Sequence, residues 1–315
     1  MTNETTNKQW AIIVNPHAGG KKAFQFWQKL SVALREQGIG YDIAFTEGPF
    51  HAVQLAKKFR HQLYEQFLVI GGDGTLSELV HGIFSCSVPP NPTITLSIVP
   101  IGTGNDWARF WGITPTIERV VQSLLNHKTQ TIDIGQISFV TYQGIPQTRY
   151  FINAMGEGFD AKVAKLTTYL GSIFKGKSWL YSLSVFIVPF VYRAKPIHIE
   201  FDNGLLVQKK IYTLSCGNGC YTGGGIKQTP HAVPIDGLFD VMMVESPSLW
   251  GIITGIHALF KGKLMQHKLV QSTQTKHFTI SSDYPLCMEI DGISLPETYQ
   301  ATISILPKAV RFIVV

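Results

Sequence analysis

The chain has few cysteines and few charged residues for its length. Only 4 of its 315 residues are cysteine, and 15% are Asp, Glu, Lys or Arg. Four cysteines are too few for a disulfide scaffold, and no second Cys/His pair accompanies Cys216 and Cys220 to complete a zinc site. Apolar residues make up 45% of the chain, which excludes an intrinsically disordered protein.

Targeting and nucleic-acid motifs are also lacking. The first ten residues, MTNETTNKQW, are polar and do not contain the apolar segment of a signal peptide. No basic–aromatic motif typical of nucleic-acid recognition occurs, so we expect no nucleic-acid partner. The net charge of +6 comes mostly from residues 134–315, which hold 16 Lys and Arg against 11 Asp and Glu. These features favour a cytoplasmic protein whose partner is anionic or phosphorylated.

The order of predicted strands and helices divides the chain into two domains. In residues 1–133, strand patterns such as WAIIV, QFLVI and TITLSIVP alternate with helical patterns, which predicts an α/β domain with a parallel sheet. In residues 134–302, strand-like segments follow one another with few helices between them. This pattern predicts a mostly antiparallel, β-sandwich-like second domain. The sequence leaves open whether residues from about 303 to 315 return to the first domain.

Glycine-containing loops follow three strands of the first domain: NPHAGGKK, GGDGT and PIGTGND. Ligands of parallel sheets bind at the carboxyl ends of the strands, so we expect these loops to converge. Glycines at a strand–helix junction let consecutive N–H groups face a phosphate, and the helix N-terminus adds the positive end of its dipole. The carboxylate of Asp73 suits such a loop if it meets a ribose, a cation or hydrated Mg²⁺. The loops together predict a nucleotide phosphate site with carboxylates close by.

Residues 179–192, WLYSLSVFIVPFVY, are apolar almost throughout. The segment is too short, and too interrupted by two serines and a proline, to span a bilayer. The basic residues Lys175, Lys177, Arg193 and Lys195 flank it. Two interpretations stay open: a core helix with ordinary charged ends, or a segment that lines an acyl-chain site or docks on an anionic membrane surface.

In their order and spacing, NPHAGG, GGDGTLSEL and PIGTGNDWAR resemble the diacylglycerol kinase catalytic-domain family, in particular its soluble bacterial lipid kinases. Downstream, TGGGIKQTPHAVPIDGLFDV resembles the second-domain signature of that family, and MEIDGI stands in the place of its Asp-Gly-Glu motif. The resemblance implies Mg²⁺-dependent transfer of the γ-phosphate of ATP to the hydroxyl of diacylglycerol or a related lipid alcohol. It implies a nucleotide site in the cleft between the domains. Such an enzyme would associate transiently with the anionic inner face of the membrane to reach its lipid substrate.

The resemblance also assigns roles to individual residues. Asp291 is the expected proton acceptor, since it follows an apolar strand and precedes a glycine in a tight turn, and Asp73 is an alternative base. The residues expected to contact ATP are Asn15, Thr46, Gly72, Asp73, Gly74, Thr75, Leu76, Ser77, Glu78 and Thr103.

Two groups of residues are implied as Mg²⁺ ligands. Asp73, Asp106 and Asp236 match the aspartates of the family that organise Mg²⁺ and its waters. The loop that contains Val233, Asp236 and Leu238 matches a structural Mg²⁺ site, in which the valine and leucine would contribute only their carbonyl oxygens.

The sequence departs from the family pattern at Ile293, where the family has the Glu of Asp-Gly-Glu. Asp291 would then act alone or with Glu289, whose side chain lies on the same face of the strand two residues earlier. Three functions stay open: a lipid kinase, a small-molecule kinase of the NAD kinase type, and a nucleotide-binding paralogue with weak or no catalysis. The apolar segment favours the lipid kinase. A homodimer is compatible with the sequence, which does not decide the oligomeric state.

Overall fold

The computed structural model describes residues 9–174 and 179–314. The chain forms two compact units, one of residues 1–132 with 308–315 and one of residues 133–307. The four cysteines are free thiols. Lys175 and Lys177, which flank the apolar segment in the sequence, lie outside the described residues.

The first unit is built on a parallel sheet whose inner strands are entirely buried. Its strand order is β2–β1–β3–β4, and every one of these pairings is parallel, as the alternating sequence pattern predicts. The inner strands are mostly apolar because parallel strands are covered on both faces. The elements are β1 (Trp10–Val14), α1 (Lys22–Glu36), β2 (Tyr41–Phe45), α2 (His51–His61), β3 (Gln66–Gly71), α3 (Asp73–Phe84), β4 (Thr95–Pro100), α4 (Asp106–Phe110) and α5 (Ile117–Asn126).

Helices α2 and α3 pack closely because α3 has a glycine at their contact. A Cβ atom at Gly82 would lie 2.6 Å from Cβ of Ala56 and 2.6 Å from the carbonyl oxygen of Val53. This contact holds α3 along α2 and so fixes the turn from which α3 starts, the GGDGT loop.

The second unit is a mostly antiparallel sheet, as the sequence predicts, and helices accompany it in the described residues. Its strands follow the order β16–β15–β7–β9–β8–β14–β17; β12 also pairs with β9 and β13, and the β5–β6 hairpin joins at β17. The elements are β5 (Thr129–Thr141), β6 (Pro146–Phe151), β7 (Ala154–Gly158), α6 (Phe159–Phe174), α7 (Trp179–Val191), β8 (Lys195–Phe201), β9 (Leu206–Gly217), β10 (Tyr221–Thr222), β11 (Ile226–Lys227), β12 (Phe239–Glu245), α8 (Leu249–Phe260), a 3₁₀ turn (Leu264–Gln266), β13 (Val270–Thr275), β14 (His277–Leu286), β15 (Met288–Ile290), β16 (Ile293–Ser294) and β17 (Thr298–Ile313).

Two stretches with strand-like sequence patterns have other bounds in the structure. YFINAM has the pattern of one strand, but β6 ends at Phe151 and β7 begins at Ala154. The strand is interrupted because the carboxylate of Asp291 accepts from the backbone N–H groups of Ile152 and Asn153. ATISIL and the first three residues of RFIVV have the patterns of two strands, but they lie in the single strand β17, which ends at Ile313. The strand continues through Lys308, which takes the left-handed conformation with φ of 51°. Its first half pairs with β14, and its end pairs with β4 of the first unit.

The helices of the second unit pack together around an apolar cluster. Phe159 and Val163 of α6, Val185 and Val188 of α7, and partly buried residues of α8 contribute to it. The sequence indicates α7 through its apolar composition, whereas α6 and α8 are found only in the structure. Among the helices in the described part of the chain, none combines the length and the apolar character that a membrane crossing requires.

Candidate functional site

The loops after β1, β3 and β4 meet at one edge of the first unit, as the strand order predicts. The side-chain amide of Asn15 donates to Oγ1 of Thr75 over 3.3 Å. The backbone N–H of Ile101 donates to the carbonyl oxygen of Gly71 over 2.8 Å. The three loops therefore form one connected surface.

Two glycines allow the second and third loops to touch through their backbones. A Cβ atom at Gly102 would lie 2.6 Å from Cα of Gly72, and one at Gly72 would lie 2.9 Å from Cα of Gly102. The side chain of Asn105 holds the same loop, since its Oδ1 accepts from the N–H of Gly102 over 2.8 Å. Asn105 has a φ of 52°, a conformation that asparagine tolerates better than most residues. These glycines are thus required for backbone packing as well as for access to a ligand.

The carboxylate of Asp73 binds the N-terminus of the short helix α4. Its two oxygens accept from the N–H groups of Asp106 over 3.0 Å and of Trp107 over 3.2 Å. Burial raises the pKa of Asp73, and the hydrogen bonds from these N–H groups oppose that effect. Asp73 therefore joins the β3–α3 loop to the β4–α4 loop, in addition to any contact with a bound cation.

Glu78 has a comparable structural role on α3. Its carboxylate accepts from the N–H groups of Phe50 over 2.9 Å and of Ala52 over 3.2 Å, at the start of α2. Burial raises the pKa of Glu78. Thr46, after β2, is buried and donates its N–H to the carbonyl oxygen of Val14. Both residues therefore lie at the loop edge, and hydrogen bonds within the protein already use part of their hydrogen-bonding capacity.

The remaining predicted ATP contacts differ in exposure. Thr103 and Gly74 are exposed, and a Cβ placed at Gly74 would have no described atom outside its own turn within 4 Å. Leu76 and Ser77 are buried, so any contribution of theirs to nucleotide binding is through the backbone turn.

Helix α1 begins without a side-chain cap. Its first turn contains no acidic residue. Gly19, Gly20 and Lys21 before it all have positive φ. A helix start of this kind, next to the Gly72–Gly102 contact, is suited to binding an anion.

In the second unit, the predicted structural Mg²⁺ loop is a tight turn. The N–H of Leu238 donates to Oδ1 of Asp236 over 3.0 Å, and that of Ile235 donates to the carbonyl oxygen of Val233 over 2.8 Å. Asp133, which the sequence analysis does not name, is fully buried and accepts from the N–H of Gly237 over 2.8 Å. Among residues 9–174 and 179–314, no three or more His, Cys, Asp or Glu side chains are grouped to hold a metal ion by themselves.

The carboxylate of Asp291 is turned towards the backbone between β6 and β7. It accepts from the N–H groups of Ile152, Asn153 and Ala154, each over 3.0 Å. Asp291 itself has a φ of 48°. The sequence predicts a side chain that projects towards a cleft, whereas the structure shows one that holds the β6–β7 connection in place.

Next to this turn lies an acidic cluster that consists of Glu157, Asp160 and Glu289. Glu289 pairs with Gly156 across β15 and β7, and a Cβ at Gly156 would lie 2.8 Å from Oε1 of Glu289. Asp160 accepts from the hydroxyl of Ser215 and, over 2.6 Å, from the amide of Gln228. The glycine thus leaves the space that this concentration of carboxyl groups needs.

Burial and mutual repulsion make the acidic cluster hard to ionise. Burial and the charge of Asp160 raise the pKa of Glu157 to about 8, and burial raises the pKa of Glu289 well above its ordinary value. Burial raises the pKa of Asp160 too. Oε2 of Glu157 is buried and has no hydrogen-bond partner among the residues that the structure describes. A buried carboxyl group with such an oxygen and a raised pKa is typical of a site that exchanges protons.

A cavity of about 400 Å³ opens between α6 and α7. Its lining is mostly apolar, with Leu166, Tyr169, Val188, Val191 and Tyr192, and two lysines, Lys162 and Lys165, complete it. Tyr192 also faces the acidic cluster: burial and the charge of Glu157 raise the pKa of its hydroxyl. An apolar cavity therefore borders the acidic cluster.

Sequence reasoning found Glu289 but not its two partners. Glu289 is recognisable from its spacing to Asp291. Glu157 and Asp160 join it only through strand pairing and the turn into α6, which no short motif reveals. The one sequence signal is the acidic residue between two glycines in AMGEGFD, at the end of a buried strand.

Comparison with known proteins identifies the family of the chain. The diacylglycerol kinase catalytic domain matches residues 9–137, and the YegS C-terminal NAD kinase beta sandwich-like domain matches residues 153–314. The chain belongs to the diacylglycerol kinase catalytic-domain family. It is 26% identical over 295 residues to a diacylglycerol kinase of Bacillus subtilis, and the match covers 90% of this chain and 89% of that protein.

Other members of the diacylglycerol kinase family match over a similar extent. A diacylglycerol kinase of Staphylococcus aureus is 28% identical over 288 residues, with 90% of this chain and 86% of that protein covered. The crystal structure of a diacylglycerol kinase from Bacillus anthracis has a TM-score of 0.70 at 22% identity and covers 98% of this chain and 97% of that chain. Yeast NADH kinase shares the fold alone, with a TM-score of 0.57 at 11% identity over 98% of this chain and 83% of that chain. The chain is thus a lipid kinase by family.

From the close contact of Gly72 with Gly102 we predict the effect of a substitution in this kinase. Gly102→Ala should lower the free energy of unfolding by about 1–3 kcal/mol, because its Cβ would overlap the backbone of Gly72. It should also weaken ATP binding, because the loops move apart. Urea denaturation and titration calorimetry measure the two effects. Gly48→Ala is the control, since a Cβ placed there would have no described atom within 4 Å; equal stability of the two variants would contradict the prediction.

From the raised pKa of Glu157 we predict how the free energy of unfolding depends on pH. The folded protein holds a proton on Glu157 between its ordinary pKa of 4.5 and about 8, whereas the unfolded chain releases it. The free energy of unfolding should therefore fall as pH rises through this window, by up to about 1.4 kcal/mol per pH unit for this group. Glu157→Gln should reduce the slope in denaturation experiments across that range. The exposed Glu200→Gln is the control, and an unchanged slope in Glu157→Gln would refute the assignment.

Proposed function

We propose that this lipid kinase transfers the γ-phosphate of ATP to the hydroxyl of diacylglycerol or a related lipid alcohol. The observation that carries the proposal is the apolar cavity between α6 and α7, beside the acidic cluster. The cavity suits an acyl chain, and its two lysines, Lys162 and Lys165, suit the polar end of a lipid or the phosphate of the product. A nucleotide acceptor such as NAD would have no use for an apolar cavity. The likeness to yeast NADH kinase, which concerns the fold, therefore does not favour that acceptor.

The first unit supplies the groups that would bind ATP. Backbone N–H groups around Gly72 and Gly102, the uncapped start of α1 and the exposed hydroxyl of Thr103 suit the phosphates. Asn15 and Thr75, which hydrogen-bond each other, would keep the loops in register. Phosphoryl transfer depends mainly on positioning and on charge neutralisation, and a connected loop surface supports both.

The donor set also fits Mg²⁺. Mg²⁺ prefers oxygen ligands and commonly takes one or two carboxylates together with waters and substrate phosphates, so a ready-made cage of side chains is not required. Asp73 and Asp106 would hold it in the first unit. The carboxylate of Asp236 and the carbonyls of Val233 and Leu238 would hold the structural ion in the second. When bound, Mg²⁺ supplies neutralisation of the charge on the phosphates.

Glu289 would act as the proton acceptor, with Asp291 in support; one oxygen of Glu289 also accepts from the N–H of Gly292 over 2.6 Å. The lipid hydroxyl oxygen would attack the γ-phosphorus as its proton passes to the Glu289 carboxylate and the bond to the leaving ADP breaks. Three N–H groups already bind Asp291, which suits it to hold the turn that carries Glu289. A carboxyl group with a raised pKa is better matched to general base catalysis near neutral pH. Glu289 would thus replace the family glutamate, in whose place this chain has Ile293.

Transfer of labelled phosphate from ATP to diacylglycerol in mixed micelles tests this proposal. We expect Mg²⁺-dependent product from the wild type. Glu289→Gln should lower kcat about 10²–10⁴-fold, the range for loss of a general base, while ATP still binds. Asp73→Asn should lower both activity and ATP affinity.

Controls separate loss of chemistry from loss of fold. Glu200→Gln, an exposed carboxyl on β8, should keep wild-type activity. Asp291→Ala should lower the melting temperature as well as the activity, because three backbone N–H groups lose their acceptor. Full activity in Glu289→Gln would contradict its role. ATP binding without phosphorylation of any lipid alcohol or NAD would favour a regulator.

The pH dependence of kcat/KM makes a separate prediction. Its acidic limb should lie well above pH 4.5, because the raised pKa of Glu289 delays ionisation of the base. Asp160→Asn should shift this limb to lower pH, because it removes a negative charge that raises the pKa values of Glu157 and Glu289. A limb at the same pH in wild type and Asp160→Asn would show that the acidic cluster does not set the protonation state of the base.

A further inference from the structure

Helix α7 exposes apolar side chains where a helix in water normally carries polar ones. Phe190 and Val191 are each 74% exposed, and Phe186 is 56% exposed. Phe186 and Phe190 lie one turn apart on the same face of the helix, and Val191 extends this exposed apolar region beside Phe190. The opposite face, with Val185 and Val188, is buried in the apolar cluster of α6, α7 and α8.

Helix α8 has the same unusual pattern. Trp250 and Ile253 are 72% and 58% exposed, and Phe260 is exposed on the same face two turns later. Ile252 and Ile256 of the same helix pack against the apolar cluster instead. The rings of Phe186 and Phe260 stack with their centroids 6.2 Å apart, so the exposed faces of α7 and α8 adjoin.

The chain segments that carry these helices contain no acidic residue. Residues 161–199 and 246–282 together have ten Lys and Arg and no Asp or Glu, whereas the whole chain has 21 acidic residues. Lys165 of α6, Arg193 after α7, and Lys261 and Lys263 after α8 are exposed. The segments that present the apolar faces therefore bring positive charge and no negative charge.

We propose that this surface docks on an anionic lipid bilayer. We define the docking surface by six residues: Phe186, Phe190, Val191, Trp250, Ile253 and Phe260. Aromatic and aliphatic side chains enter the boundary between head groups and acyl chains, and lysines around them meet the anionic head groups. The inference rests on the proposed function, and it specifies which face of the second unit meets the membrane.

Charge complementarity favours the bilayer over a second copy of the chain. A two-fold symmetric dimer through the docking surface would bring the same patch against itself, and so place cations against cations. An anionic bilayer supplies both the apolar interior and the negative charge that this surface lacks.

The position of the cavity supports the same orientation. Val191 belongs to the docking surface and also lines the cavity between α6 and α7. Lys162 and Lys165 line the cavity as well. A lipid would thus enter the cavity from the face that touches the bilayer.

Co-sedimentation with vesicles tests the docking surface. The wild type should bind phosphatidylcholine vesicles that contain phosphatidylglycerol, and bind pure phosphatidylcholine less. Trp250→Ser combined with Phe190→Ser should weaken binding by roughly tenfold or more, because both side chains leave the membrane boundary. Tyr142→Ser is the matched control, since Tyr142 is 73% exposed next to β5 of the same unit.

Salt and lysine variants test the electrostatic contribution. Raising the salt concentration should weaken vesicle binding, and Lys261→Gln with Lys263→Gln should weaken it roughly tenfold at low salt. Lys29→Gln, on α1 of the first unit, should have no such effect. Binding that is indifferent to salt and to phosphatidylglycerol, or equal in the docking variants and the wild type, would overturn the proposal. A dimer that the Trp250→Ser and Phe190→Ser variant dissociates in analytical ultracentrifugation would assign the surface to a second copy instead.

A soluble substrate separates this inference from the proposed function. With a short-chain diacylglycerol dispersed below its micelle concentration, the docking variant should phosphorylate as well as the wild type. If the wild type phosphorylates this substrate but does not bind vesicles, the kinase function stands and the docking proposal is refuted. If the docking surface binds vesicles but no lipid is phosphorylated, the docking proposal stands and the kinase function is refuted.

Discussion

Backbone N–H groups at the ends of strands and at the starts of helices must find acceptors, and this chain satisfies many of them with carboxylates. Asp73 binds two N–H groups of α4, and Glu78 binds two at the start of α2. Asp291 binds three between β6 and β7. Each of these bonds joins segments that are distant in sequence, so the loops at the strand ends cannot move independently. The residues that make the family motifs recognisable are therefore also the residues that hold the loops together.

This constraint divides the acidic residues into two groups with different chemistry. A carboxylate bound by several N–H groups is held in place, and at Asp73 and Glu78 these hydrogen bonds oppose the rise in pKa that burial causes. Glu157, Asp160 and Glu289 instead lie close together in a poorly solvated region, where full ionisation of all three is unfavourable. The first group holds the loops together. In the second group, burial and mutual repulsion raise the pKa values, which is the direction that the proposed proton transfer from a lipid hydroxyl needs.

The fold class could be predicted because its signals are local. Alternating strands and helices predict the parallel sheet, and the glycine loops predict where the loops converge. The contact of Gly72 with Gly102 and the partners of Asp291 could not be predicted, because both depend on the register between segments far apart in the chain. The proline and lysine in LPKAV suggest a break, yet β17 passes through Lys308 because its neighbours hold both halves. Pairing between strands that are distant in the chain thus determines the extent of β17, which the local sequence pattern does not determine.

The two interpretations of the apolar segment are compatible with one another. One face of α7 is core, with Val185 and Val188 buried, and the other is exposed, with Phe186 and Phe190 at the surface. A helix that is apolar on all sides is stable beside water only if its outer face is small or is covered for part of the time. Full burial would need another layer of protein, and a permanent membrane crossing would need a longer helix. A surface that the membrane covers only while the kinase meets its substrate needs neither another protein layer nor a longer helix. Residues 161–199 and 246–282 contain no acidic residue, so they carry no negative charge that would oppose contact with an anionic membrane.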